Sequence, residues 1–121
     1  MATSPFIFTT TVSIANGASL SGAADLNGAN LTAILMPAAW TAAGLSFQGS
    51  FDGTTFGDIY ARSTGLELVV PSAGVVASGL IMFEPGTLLG LQSIKIRSGT
   101  TGAAVNQGAA RTLTLALRKF A

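Results

Sequence analysis

The sequence predicts an all-β domain, an antiparallel β-sandwich of about eight short strands. Three observations lead there. Several runs alternate apolar and polar residues with a period of two, the beat of a strand with one buried face. Turn signals such as Asn16-Gly17, Asn27-Gly28 and Asp52-Gly53 separate these runs, at the spacing of roughly 8–12 residues that a sandwich or barrel uses. The segment with most helical character, Pro37 to Ala43, is too short for an independent helix.

The clearest element is Leu45 to Tyr60, LSFQGSFDGTTFGDIY. Leu45, Phe47 and Phe51 alternate with Ser46, Gln48, Ser50 and Asp52, so Phe47 and Phe51 are expected in the core. Asp52-Gly53 supplies a turn, because Gly accepts positive φ and Asp can hydrogen-bond its own backbone. Phe56, Ile59 and Tyr60 then return as the second arm of a hairpin.

In chain order, Met1 to Phe8 reads as an N-terminal arm, and residues 9–121 as a single sandwich domain. Phe6, Phe8, Val12 and Ile14 share one face of the first extended run. Asn16-Gly17 predicts a hairpin reversal into a weak strand, Ala18 to Leu26. Leu31 to Met36 is a short apolar strand ended by Pro37. Pro37 to Ala43 is expected as one helical turn, a crossover that places Trp40 over one end of the core. Leu66 to Val70 is a strand stopped by Pro71, Ser72 to Gly79 a loop, and Leu80 to Phe83 an apolar run too short for a helix. Leu88 to Arg97 places Ile94 and Ile96 inward and Lys95 and Arg97 outward. Ser98 to Ala110 reads as a long turn-like segment. Leu113, Leu115 and Leu117, alternating with Thr112, Thr114 and Ala116, form the cleanest strand of all. An eight-stranded double sheet of this kind is jelly-roll-like.

Composition narrows the function classes. The 121 residues suit one domain. They include no cysteine and no histidine. Disulfides, thiolate metal sites, the commonest general base and the commonest transition-metal ligand are thus all missing. We expect no enzyme and no cofactor. Charged residues make up 9% of the chain, against roughly 25% in an average domain. Ala, Gly, Ser and Thr therefore fill surface positions that a free monomer would give to Lys and Glu, a surface suited to partner chains. A net charge of +1 argues against nucleic acid and anionic membrane. The N-terminus lacks the pattern of a signal peptide, so synthesis in a cytosol is expected.

Each candidate site has a plain structural reading beside it. Asp52 and Asp58 read as turn chemistry rather than a carboxylate pair. Asp25 to Asn30, D-x-N-G-x-N, has a faint calcium-loop pattern but lacks the closing Glu. Trp40, Phe47, Phe51, Phe56 and Tyr60 could make a sugar-stacking platform, yet core burial is their larger expected use. Trp40 and Tyr60, with polar tips, suit an interface. Lys95, Arg97, Arg111, Arg118 and Lys119 could gather into a basic stripe, read as solvated or partner-facing. The interface candidates are Phe6, Phe8, Trp40, Tyr60, Arg97 and Arg111.

The pattern from Trp40 through Leu45-x-Phe47-x-x-Ser50-x-Asp52-Gly53-x-x-Phe56, with Ile94 to Gly99 and Arg111 to Leu115, resembles small virion proteins of tailed bacteriophages. The S-x-D-G-x-x-F hairpin is also similar to discoidin-type jelly rolls, many of which bind carbohydrate. The first resemblance implies a decoration, cement or spike-base protein on the capsid surface. Its partner would be the major capsid protein or another head protein, and its state a trimer or pentamer. The second implies a carbohydrate-binding module with Trp40 or Tyr60 exposed.

Overall fold

The alternation of Leu113, Leu115 and Leu117 with threonine and alanine decides the centre of the structure, a computed structural model that describes residues 7–84, 87–88 and 90–119. Nine strands run through these residues: β1 (Ile7–Ile14), β2 (Ala24–Asp25), β3 (Asn30–Leu35), β4 (Leu45–Ser50), β5 (Gly57–Asp58), β6 (Val69–Val70), β7 (Leu80–Met82), β8 (Ser93–Ser98) and β9 (Arg111–Arg118). They form two antiparallel sheets of a β-sandwich. The first has the order β1-β9-β3-β7 and the second β2-β8-β4-β5, with β6 also paired to β4.

β9 is the middle of the first sheet. It pairs with β1 over eight residues, Ile7↔Arg118 to Ile14↔Arg111, and with β3 on its other edge. Its three leucines meet Ile14, Val12, Leu31 and Ile34 from the same sheet, and Phe47, Ile94 and Ile96 from the second. All of these are buried. The β8–β4 pair supplies the opposite wall, with Phe47 opposite Ile96 and Gly49 opposite Ile94. Phe83 packs edge-on against Phe47 at a centroid distance of 5.6 Å.

The chain alternates between sheets at almost every connection. β1, β3, β7 and β9 belong to one sheet, and β2, β4, β5, β6 and β8 to the other. This corrects the expected hairpin at Asn16-Gly17. The turn forms, with Gly17 at φ +79°, but it carries the chain across to β8, where Ser21 N–H donates to Ile96 O and Ser98 N–H to Ser19 O. A turn dipeptide specifies that the chain bends, and β9 is the better partner for β1 because its apolar face matches over the full length. Of the expected strand Ala18 to Leu26, only β2 and a Leu20↔Arg97 bridge remain.

Three other expectations are corrected. Pro37 to Ala43 forms no helical turn. Its backbone is bound elsewhere, Pro37 O by Ser78 N–H and Thr41 N–H and O by the side chain of Gln107. Phe51 is 83% exposed, because β4 ends at Ser50 and the turn begins there, so the alternation stops one residue short of it. Leu66 to Val70 contributes only Val69–Val70 to a sheet, preceded by a Tyr60↔Glu67 bridge. The hairpin of Leu45 to Tyr60 does form, with Gln48↔Asp58 and Gly49↔Gly57 pairing β4 to β5. The strand β1 begins within the stretch expected as an arm, Phe8 pairing with Leu117; the rest of that stretch, including Phe6, lies outside the described residues. A short 3₁₀ turn, Ser72–Gly74, sits in the expected loop.

The register of β9 is directly testable. Leu115→Ala should cost roughly 2–5 kcal/mol through lost transfer energy and a cavity. Thr114→Ala, on the outward face, should change stability far less. Urea denaturation of both variants checks this, and equal losses would mean that the faces are exchanged.

Candidate interaction surfaces

The outer face of the first sheet follows from the register. With Leu113, Leu115 and Leu117 inward, Thr112, Thr114, Ala116 and Arg118 point out, beside Ile7, Thr9, Thr11 and Ser13 of β1. After a bulge between Leu31 and Ala33, β3 presents Ala33 and Leu35 outward, and β7 presents Leu80 and Met82. Two rows therefore cross the sheet, Thr11–Thr114–Leu35–Leu80 and Thr9–Ala116–Ala33–Met82. Neither row carries a charge. Leu35, Leu80 and Met82 are 41%, 67% and 71% exposed and adjacent by register. Together they form an apolar patch at the β7 edge, of the kind that marks an interaction surface. Among the described residues β7 pairs with β3 alone, which makes it a short edge strand of the sheet.

The second sheet's outer face is built differently. Arg97 points outward from β8 as expected, yet it is only 7% exposed, which corrects its reading as a solvated or partner-facing cation. The segment between β5 and β6 folds over it. Arg97 Nη2 donates to Asp58 Oδ1 at 2.8 Å, and Nη1 donates to Glu67 Oε2 at 3.3 Å, Thr101 Oγ1 at 2.9 Å and Ser46 Oγ at 3.2 Å. Thr101 N–H and hydroxyl also donate to the Glu67 carboxylate. The turn that presents Thr101 starts at Gly99, at φ +88°, where a Cβ would lie 2.5 Å from Ala103 O. Glycine is the residue that turn requires. Arg97 lowers the carboxyl pKa of Asp58 chiefly by its hydrogen bond, against the opposing effect of burial; the Gln48 amide adds to the lowering. Asp58 is thus an ion-pair partner rather than a turn residue. Glu67 has no motif around it, and the only signal of its role in the sequence was an acid placed in an apolar run.

Asp52 does the turn work expected of it. Its Oδ1 accepts from Thr54 N–H, Thr55 N–H and Ser50 Oγ, and these bonds hold its carboxyl well below the usual carboxylate range. Asp25 Oδ1 accepts from Asn27 N–H at 2.8 Å, closing the Asn27-Gly28 turn where both residues have positive φ. Among the described residues, no group of three or more acidic side chains is placed to hold a metal ion.

The basic residues do not gather into a stripe. Lys95 and Arg97 lie on the second sheet, and Arg111 and Arg118 on the first. Lys95 Nζ sits 4.4 Å over the Phe56 ring, and Lys119 Nζ 5.8 Å over that of Phe8. Arg111 is half-buried, donating to Gln107 Oε1 and Thr41 Oγ1. The aromatic residues disperse too. Phe47 is core, Trp40 packs half-buried with its Nε1–H on Ala43 O, and Tyr60 is 59% exposed. Of the expected interface candidates that lie among the described residues, Phe8 and Tyr60 are exposed. The patch of Leu35, Leu80 and Met82 was not foreseen, because each lies in an apolar run that reads as core. Among the described residues no helix is long and apolar enough to cross a membrane.

Arg97→Met should cost roughly 2–4 kcal/mol, somewhat under the loss for a fully buried pair, since both carboxylates keep some contact with water. Urea denaturation measures it. Because the folded pKa of Asp58 is depressed, its stabilising contribution is complete above the ordinary carboxylate value and disappears as pH falls through the folded one. Stability should therefore decline below about pH 4, and Asp58→Asn should flatten that decline in a pH series of the same measurement.

No protein-family description, curated protein or solved structure matches this chain.

Proposed function

We propose that this chain is a non-enzymatic structural protein that acts by packing, as a small virion protein on the head of a tailed bacteriophage. In this reading it decorates or stabilises the capsid as a symmetric oligomer docked on the major capsid protein or another head protein. The observation that carries the reading is the pair of charge-free rows across the outer face of the first sheet, with the patch of Leu35, Leu80 and Met82 at the β7 edge. The alternation of strands between sheets, with the order β1-β9-β3-β7 against β2-β8-β4-β5, supports a jelly roll, an architecture common in capsid domains.

The magnitudes favour an array over an isolated dimer. Covering the exposed parts of three such side chains contributes about 2–5 kcal/mol. Losing translational and rotational freedom costs about 4–15 kcal/mol. One patch alone therefore gives weak association, whereas a lattice that engages several contacts at once raises the effective concentration. The threonine and alanine positions beside the patch lose little side-chain entropy on contact.

Velocity sedimentation over a concentration series tests the reading. The full chain should self-associate or co-sediment with phage heads, and Leu80→Lys with Met82→Lys should abolish this while leaving the far-UV circular dichroism unchanged. A chain that stays monomeric and never joins particles would remove the structural reading.

A further inference from the structure

A second surface lies at one end of the sandwich, and its chemistry differs from that of the uncharged rows on the first sheet. Three connections meet there: the β2–β3 turn, the start of the β4–β5 loop and the approach to β8. Backbone bonds join them, Gln92 N–H to Ser50 O and Leu26 N–H to Gln92 O, both 2.8 Å. The β4–β5 loop is held in place by Ser50 Oγ, which accepts from Gly53 N–H, and by the three bonds to Asp52. Phe51 is thus displayed on an ordered base while its ring stands almost entirely in solvent.

Beside it lies a cavity of about 470 Å³ lined by Asp25, Asn27, Asn30, Phe51 and Gln92, with Leu91 at its wall. That volume falls within the range of small-ligand sites. Among the described residues, the side-chain amides of Asn27, Asn30 and Gln92 make no hydrogen bond within the chain, and Asp25 uses one carboxylate oxygen, for Asn27 N–H. Three amides offer donors and acceptors in fixed planes, and a carboxylate offers acceptors. No lysine or arginine lines the cavity, so it provides no partner for phosphate, sulfate or an acidic sugar.

We propose that this cavity binds a neutral saccharide, one pyranose ring stacking its C–H face on Phe51 and its hydroxyls meeting Asp25, Asn27, Asn30 and Gln92. A pyranose has both features the site asks for, an apolar face for an aromatic ring and a rim of hydroxyls for amides and a carboxylate. The proposal moves the aromatic platform away from Trp40, whose indole N–H is already bound to Ala43 O, and from Tyr60, which lies outside this cavity. It does not depend on the packing role of the first sheet.

Saturation-transfer NMR with the methyl glycosides of glucose, galactose, mannose and N-acetylglucosamine tests it, at about 10 mM each to suit the millimolar affinity of a single ring. At least one glycoside should receive saturation, concentrated on the ring protons of one face. Phe51→Ala should weaken that binding about tenfold, the factor that roughly 1.4 kcal/mol of lost stacking gives. The side chain is exposed, so the variant should keep its fold, with unchanged circular dichroism. The Leu80→Lys, Met82→Lys chain should still bind, which separates this site from the packing surface. No transfer from any of the four glycosides, or transfer unaffected by Phe51→Ala, overturns the proposal. So does a Phe51→Ala variant that loses self-association with no saccharide bound by either protein, since Phe51 would then belong to a protein contact.

Discussion

The buried guanidinium of Arg97 is the constraint on which the second sheet depends. Two of that sheet's members, β5 and β6, are two residues long, and strands so short add little ladder energy. Their connecting segment is tied to β8 by a fork of charged hydrogen bonds reaching Asp58 at the end of β5 and Glu67 near the segment's far end, alongside the packing of Ile59 and Leu68 on the core. Planar guanidinium suits this task, because its donors diverge in fixed directions and can satisfy several acceptors at once. Thr101 extends the same network to the β8–β9 connection. A chain with eleven charged residues thus commits three of them to one internal cluster.

The opposite end of the sandwich from Phe51 is closed by a cluster centred on a neutral amide. Gln107 is buried, and its amide joins Thr41 N–H, Thr41 O, Ser98 Oγ and Arg111 Nε. Its backbone meets Gly17 and Ala18. One residue therefore ties the β1–β2, β3–β4 and β8–β9 connections together, its side-chain donors and acceptors satisfied, as a buried amide must be. The two ends consequently differ in kind: one is sealed by hydrogen bonds within the chain, and the other keeps amides and an aromatic ring turned to solvent.

These local uses of polarity explain the two surfaces. Asp25 and Asp52 are engaged in turns, Lys95 and Lys119 lie over aromatic rings, and Arg111 serves the Gln107 cluster. Little charge is left for the outer face of the first sheet, whose rows are threonine, alanine, leucine and methionine. That face offers neutral contact, and the Phe51 end offers hydrogen-bonding groups. The packing role and the saccharide site proposed above both rest on this division.

The sequence by itself determined the β class, the inward leucines of β9, Ile94 and Ile96 of β8, and the turns at Asn27-Gly28 and Asp52-Gly53. Period-two alternation and turn chemistry are local properties, set by a few neighbouring residues. Which strands become neighbours is not local. The reversal at Asn16-Gly17 joined two sheets rather than two strands, because long-range complementarity between β1 and β9 outweighed proximity along the chain. Phe51 left the core at the residue where the ladder ended. Arg97 left solvent because Asp58 and Glu67, far away in sequence, closed over it. The patch of Leu35, Leu80 and Met82 exists because β7 is an edge strand whose outward face nothing in the described chain covers. Tertiary structure decided each of these outcomes, since burial depends on what the rest of the chain brings to a residue as well as on the residue itself.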